Sequence, residues 1–122
     1  MDTFEELEVW KQARELRKSI SKMVKNFPSV EKYRLTNQII RSSRSVASNI
    51  AEGFGRFHFQ ENVQFCRQAR GSLSETLDHL ICVLDEEYIN ENIYKRHREM
   101  ISYCWRVLNG YIAYLVKSAR KK

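Results

Sequence analysis

The stretch Leu35–Gly53, LTNQIIRSSRSVASNIAEG, decides how this chain folds. Its large apolar residues Leu35, Ile39, Val46 and Ile50 recur at steps of four, seven and four, while Ser42, Ser43, Ser45, Ala47, Ser48 and Ala51 fill much of the space between. That spacing sets the apolar side chains along one helical stripe, and the small residues let another helix backbone come close. The stretch therefore reads as the central helix of a bundle.

Length and composition agree. At 122 residues the chain is long enough for one domain, spanning residues 1–122, with a hydrophobic core that needs neither disulfides nor metal. Breaker residues are scarce, with one proline (Pro28) and four glycines, and no strand-like alternation appears. The expected fold class is all-α, an antiparallel up-and-down four-helix bundle. Cys66, Cys82 and Cys104 are odd in number and far apart, and no N-terminal secretory h-region precedes the first helix, so the expected location is cytoplasmic. No run of about 18 apolar residues exists to span a membrane. Lys and Arg total 21 against 15 Asp and Glu, a net charge of +6 with a pI near 9.4. Such a balance favours an acidic partner such as nucleic acid, and it also serves solubility.

Four helices are predicted, over about 4–27, 30–54, 59–87 and 91–119. Thr3 and Glu6 form a capping box for the first, whose apolar seam runs through Val9, Ala13, Leu16, Ile20, Met23, Val24 and Phe27 to the stop at Pro28. Nearly opposite that seam, Lys11, Arg14, Lys18, Lys22 and Lys25 occupy a strip roughly 80° wide. This basic ridge is the most concrete nucleic-acid feature, and its bland alternative is a solvated face. Ser29 caps the second helix, on which Arg34, Arg41 and Arg44 lie off the apolar stripe. They either extend a phosphate-binding surface or pair with acids on a neighbouring subunit.

Gly53 and Gly55 are expected to end the second helix, with a short link to His58 that makes the next helix its antiparallel neighbour. Asn49 and Glu52 flank Ile50 and call for structural hydrogen-bond partners. The third helix presents Val63, Cys66, Leu73, Leu77, Leu80, Ile81 and Leu84 as its apolar side, with Arg70 in the same arc and Glu52 as its candidate partner. Gly71, Ser72 and Glu75 fall near the other face. A mid-helix glycine costs about 1 kcal/mol relative to alanine, so Gly71 is expected at a close packing contact, one candidate being another subunit. Asn90 caps the fourth helix, whose apolar residues Met100, Ile101, Cys104, Trp105, Val107, Leu108, Tyr111, Ile112, Leu115 and Val116 cover an arc of roughly 180°, against about 100° for one core. The excess implies self-association through Trp105, Ile112 and Val116, with Gly71 and Ser72 as further interface residues. Arg120, Lys121 and Lys122 form a basic, disordered tail.

Chemical motifs are missing. No Glu-x-x-His pair suits a di-iron bundle, no Cys-x-x-Cys or His cluster suits zinc, and no phosphate loop or nucleophile elbow occurs. Glu75 and His79 read as an exposed helical pair, and the three cysteines fall on apolar arcs where a thiol acts as a small hydrophobe. No enzyme, cofactor or metal is expected.

FEELEVWKQARELRKSI over Phe4–Ile20, the central stretch with Arg56 after it, and ARGSLSETLDHL over Ala69–Leu80 resemble, in that order, the bacterial 23S ribosomal RNA intervening-sequence proteins. The accessory variability determinant proteins of diversity-generating retroelements resemble the chain more loosely. The resemblance implies an up-and-down four-helix bundle assembled as a ring, a homopentamer, with a nucleic-acid role. Two functions are expected from different classes. One is a non-enzymatic oligomer that binds structured RNA or DNA through its basic surface. The other is an oligomeric scaffold that holds a protein partner such as a reverse transcriptase, its charge serving solubility.

Overall fold

The computed structural model describes residues 2–120. Four α-helices carry the fold: α1 over Glu8–Met23, α2 over Leu35–Phe54, α3 over Phe59–Asp85 and α4 over Glu91–Arg120. Each packs along the one before it, and α4 returns to α1, closing an antiparallel four-helix bundle around one core. Among the described residues there is no strand.

The first two helices are shorter than their periodicity predicts. Thr3 does cap, but its hydroxyl accepts from the Glu5 backbone N–H at 3.2 Å, serving a 3-10 turn over Phe4–Glu6. Leu7 then turns into extended geometry and buries its side chain, which separates that turn from α1. A second 3-10 turn, Val24–Asn26, follows α1. Ser29 does not cap α2. It opens a 3-10 turn over Ser29–Glu31, and α2 begins only at Leu35 with no side-chain cap. The reason lies across the bundle. Tyr88 donates its hydroxyl to Glu31 at 2.8 Å and sets its ring 5.4 Å from that of Phe27, which holds this linker against the α3–α4 turn. Val30 and Tyr33 stay outside the core.

α2 and α3 pack against each other more extensively than any other helix pair, and the small residues of Leu35–Gly53 are what permit it. Ser42, Ser43, Ala47 and Gly53 are buried along α2. Gly53 is not a terminator: a Cβ there would stand 2.6 Å from Asn62 Oδ1 and 2.9 Å from Phe65 Cβ of α3. Gly71 is the reverse case, with open space around its missing Cβ and no close packing partner in its own chain. Asn90 caps α4 as expected, accepting from the Ile93 N–H at 2.8 Å. Arg120 is the last residue of α4, and Lys121 and Lys122 of the expected basic tail lie outside the described residues.

The wide apolar arc of α4 is used within the chain. Ile101, Cys104, Leu108, Ile112 and Leu115 are buried, and Met100, Trp105, Val107, Tyr111 and Val116 are half-buried against the core. Contact with α1 on one side and α3 on the other engages both flanks of this stripe and leaves its outer members part-covered. Ile81 and Cys82 of α3 are exposed, a correction to the apolar arc expected of them.

Candidate nucleic-acid interface

Lys11, Arg14, Lys18, Lys22 and Lys25 are all exposed along α1 and the turn after it, a line roughly 20 Å long at 1.5 Å per residue. The amphipathic pattern of α1 dictates this: Val9, Ala13, Leu16 and Ile20 occupy the core side, which leaves the cations facing water. Lys18, Lys22 and Lys25 then converge with Arg17, Ser21 and Arg44 on a groove of about 250 Å³ between α1 and α2. No carboxylate lines it. Lys18 reaches Glu15 at 3.8 Å, but both side chains are about half exposed, so the pair is weak and leaves Lys18 able to meet another anion.

Lys11 and Arg14 continue the ridge beyond the groove, with the Arg14 guanidinium 5.9 Å from the Trp10 ring centroid. Arg41 is exposed on α2, and Arg34 sits exposed at its N-cap; neither lines the groove. Arg17 was missed in the sequence because it falls between the ridge and the apolar seam. Its spacing of four from Ser21, on the side turned toward α2, was the only available signal.

The polar residues expected to be structural find local partners. Asn49 donates to the Ser45 carbonyl at 2.9 Å and to Ser45 Oγ at 3.0 Å. Glu52 pairs with Arg56 at 2.9 Å, not with Arg70. Arg70 donates instead to Asn109 Oδ1 of α4 at 3.0 Å, since its half-buried stem points toward α4 and its head needs only a neutral acceptor at the surface. Glu75 and His79 stand 3.2 Å apart as an i, i+4 pair.

Two of the residues expected at a subunit interface belong to the chain's own packing. Ile112 is 7 % exposed, and Ser72 sets its hydroxyl 3.0 Å from Ser45 Oγ across the α2–α3 seam. Trp105 and Val116 are half-buried and Gly71 is exposed.

His97 carries the main polar contact that sequence reasoning passed over. It is 1 % exposed on α4, with Nδ1 2.8 Å from the Ile93 carbonyl and Nε2 2.8 Å from Ser19 Oγ of α1. A carbonyl can only accept, so Nδ1 carries a proton, and in the neutral imidazole Nε2 accepts from the serine hydroxyl. Both nitrogens are thereby engaged in structure.

Burial pushes the thiols of Cys66 and Cys104 up to about 12, and Cys82 is raised by its surroundings and then by Glu86, Asp85, Asp78 and Glu31. None is primed as a nucleophile. Among the described residues no three His, Cys, Asp or Glu side chains gather as a metal site, and no helix is long and apolar enough to cross a membrane.

The described residues thus form an antiparallel four-helix bundle with a cationic groove between α1 and α2. The sequence profile of the 23S rRNA-intervening sequence proteins matches residues 5–110, and the chain belongs to that family. No curated protein matches it significantly. Among solved structures, a protein of unknown function from the S23 ribosomal protein family of Bacteroides thetaiotaomicron VPI-5482 shares the fold, with a TM-score of 0.79 at 22 % identity over 86 % of this chain and 95 % of that one.

Proposed function

We propose that this chain is a non-enzymatic, homo-oligomeric binding protein that holds structured RNA or DNA on the basic face of α1 and α2. The observation that carries the reading is the groove where Arg17, Lys18, Lys22, Lys25 and Arg44 converge without a lining carboxylate. Cations gathered this way are costly to leave together unless an anion sits among them, and a phosphate backbone supplies anions at regular spacing. The family's description, which names a ribosomal RNA insertion, supports RNA over a purely proteinaceous partner. Three free thiols suit a reducing, cytoplasmic setting.

Phosphate contacts make affinity depend steeply on salt, with a log–log slope of about −0.9 per neutralised phosphate on a duplex. The test is filter binding of a structured RNA and a DNA duplex across a salt series. Replacing Lys11, Arg14, Lys18, Lys22 and Lys25 with Gln is expected to flatten the slope by roughly 4 and to weaken both ligands. Failure to retain either nucleic acid at low salt, or retention indifferent to salt, overturns the reading.

Assembly belongs to the same proposal, with five subunits the number that the resemblance implies. It is supported by the open space at Gly71, where a second backbone can approach, and by the half-covered Trp105. Light scattering coupled to size exclusion reads it directly, and a mass of one chain rejects it. The alternative, a scaffold for a protein partner, is favoured by Val30 and Tyr33, 61 % and 82 % exposed in the linker before α2. It predicts partner capture unchanged in the five-fold Gln variant.

A further inference from the structure

The end of the bundle where the α2–α3 turn meets the last turns of α4 is open and aromatic. Phe57, in that turn, is 91 % exposed and holds a φ of 63°, in the left-handed region that residues with a Cβ rarely adopt. Gly55, two residues earlier, has an ordinary φ of −72°, so the strain falls on a large apolar residue. A fold that spends backbone strain to keep an aromatic ring in water is a reason to look for what the ring meets.

Beside it lies a pocket of about 530 Å³ lined by Phe54, Phe57, Phe59, Tyr111 and Tyr114, with Asn62 at its polar part. Tyr111 and Tyr114 stack with centroids 6.4 Å apart and planes inclined by 17°, and Tyr114 is 62 % exposed. The polar part is ordered as a relay. The Cys66 thiol donates to Asn62 Oδ1 at 3.5 Å, and Asn62 Nδ2 donates to the Tyr111 hydroxyl at 3.1 Å. Asn62 is buried, and the missing side chain of Gly53 is what leaves room for it. The hydroxyl of Tyr111 thus accepts within the protein, and among the described residues nothing accepts its own hydrogen.

The pocket runs on, through Phe57 and Phe59, into a shallow depression at Gln60, Glu61 and Ala119, and from there into a groove that holds Arg67 and Arg120. Asp2 and Glu61 are the carboxylates along this path.

We propose that this end pocket binds an unpaired nucleobase, stacked on Phe57 and Tyr114, with the Tyr111 hydroxyl donating to a ring nitrogen or carbonyl oxygen of the base. Arg67 and Arg120 receive the phosphate of the strand that carries it. A hydrocarbon chain would leave the Tyr111 donor without an acceptor, whereas a base offers both a flat π-face and an acceptor at its edge. The adjoining guanidiniums complement a phosphate and have no use for an uncharged lipid tail. The site stands apart from the α1–α2 groove, because a base needs no phosphate to stack.

The test uses the full chain and three probes: adenosine at millimolar concentration, a ten-nucleotide single strand, and an abasic strand of equal length. Adenosine is expected to shift the NMR signals of Tyr111 and Tyr114. Phe57→Ala and Tyr114→Ala remove exposed rings and should each weaken the base-bearing strand about tenfold, leaving the abasic strand and its salt slope unchanged. Tyr111→Phe keeps the ring, removes the donor, and should weaken adenosine several-fold. The five-fold Gln variant of α1 should weaken both strands alike and leave adenosine binding intact, so failure of the groove and failure of the pocket give different patterns. Equal affinity for base-bearing and abasic strands, together with no adenosine response, overturns the pocket proposal. A Phe57→Ala protein whose mass falls to a smaller assembly while strand affinity holds also overturns it, identifying the ring as a subunit contact.

Discussion

Between α2 and α3 the helices meet on hydroxyls and a glycine; between α1 and α4, among the described residues, a single imidazole joins them amid aliphatic side chains. On the first seam Ser42 Oγ stands 2.9 Å from Thr76 Oγ1, and Ser45 Oγ 3.0 Å from Ser72 Oγ, each a contact that exists only if the backbones come close. On the second, α1 buries Val9, Ala13, Leu16 and Ile20, α4 buries Ile101, Cys104 and Leu108, and His97 reaches Ser19 as the hydrogen bond between them. Short polar side chains fix register through proximity, so every one of them depends on the helix spacing. One long polar side chain fixes register by reach and tolerates a wider gap. The closely packed half of the bundle is therefore α2–α3, and α1, which bears the basic ridge, packs less extensively against its neighbours.

The largest effect is expected at the single pin. His97→Ala opens a cavity and leaves the Ser19 hydroxyl without its partner, which together should destabilise the fold by about 3 kcal/mol in urea unfolding. A loss under about 1 kcal/mol would mean that the aliphatic residues hold α1 to α4 unaided, and the contrast between the seams would fail.

Gly53→Ala should follow, at about 2 kcal/mol, because the new methyl meets Asn62 Oδ1 and the Cβ of Phe65, an atom that cannot swing aside. Gly71→Ala is its control. With nothing within 4 Å of the added Cβ, it should stabilise by several tenths of a kcal/mol through helix propensity, unless a neighbouring subunit occupies that space. Thermal unfolding of the pair reads both, and equal behaviour would show that the α2–α3 seam is no tighter than open surface. Thr76→Val, nearly isosteric, should cost about 1 kcal/mol for its lost contacts to Ser42 Oγ and the Ser72 carbonyl.

Those two glycines show what the sequence could and could not reveal. The four helices were legible because Pro28, the Gly53–His58 break and the Asn90 cap punctuate long 3.6-residue periods. The close approach of another helix to Leu35–Gly53 was legible as well, from its run of small residues. Their roles were not separable: Gly53 looks like a stop and is a contact, while Gly71 looks like a contact and has open space within its own chain. A glycine advertises permission, and only the neighbouring helix decides whether it is used. His97 stayed hidden because Ser19 lies 78 residues away in the chain. The outward ridge of α1 follows from helical arithmetic on a single element, so it was read directly; the groove needed Arg44 from a second helix, and the aromatic end needed three.

Per residue replaced, the smallest expected effect on stability is also the sharpest check of the division between framework and charge. Among the described residues, Lys11, Arg14, Lys18, Lys22 and Lys25 make one weak ion pair, Lys18 with Glu15, and one ring contact, Arg14 with Trp10, and otherwise face solvent, so replacing all five with Gln should shift the unfolding free energy by no more than about 0.5 kcal/mol per site. Removing like charges that crowd one groove should even offset part of that loss, most visibly at low salt where screening is weakest. A variant that melts as the parent does yet binds no nucleic acid would assign the ridge wholly to binding. One that unfolds by several kcal/mol would show that the cations brace α1 against α2, and the looser helix would turn out to be held by its charge.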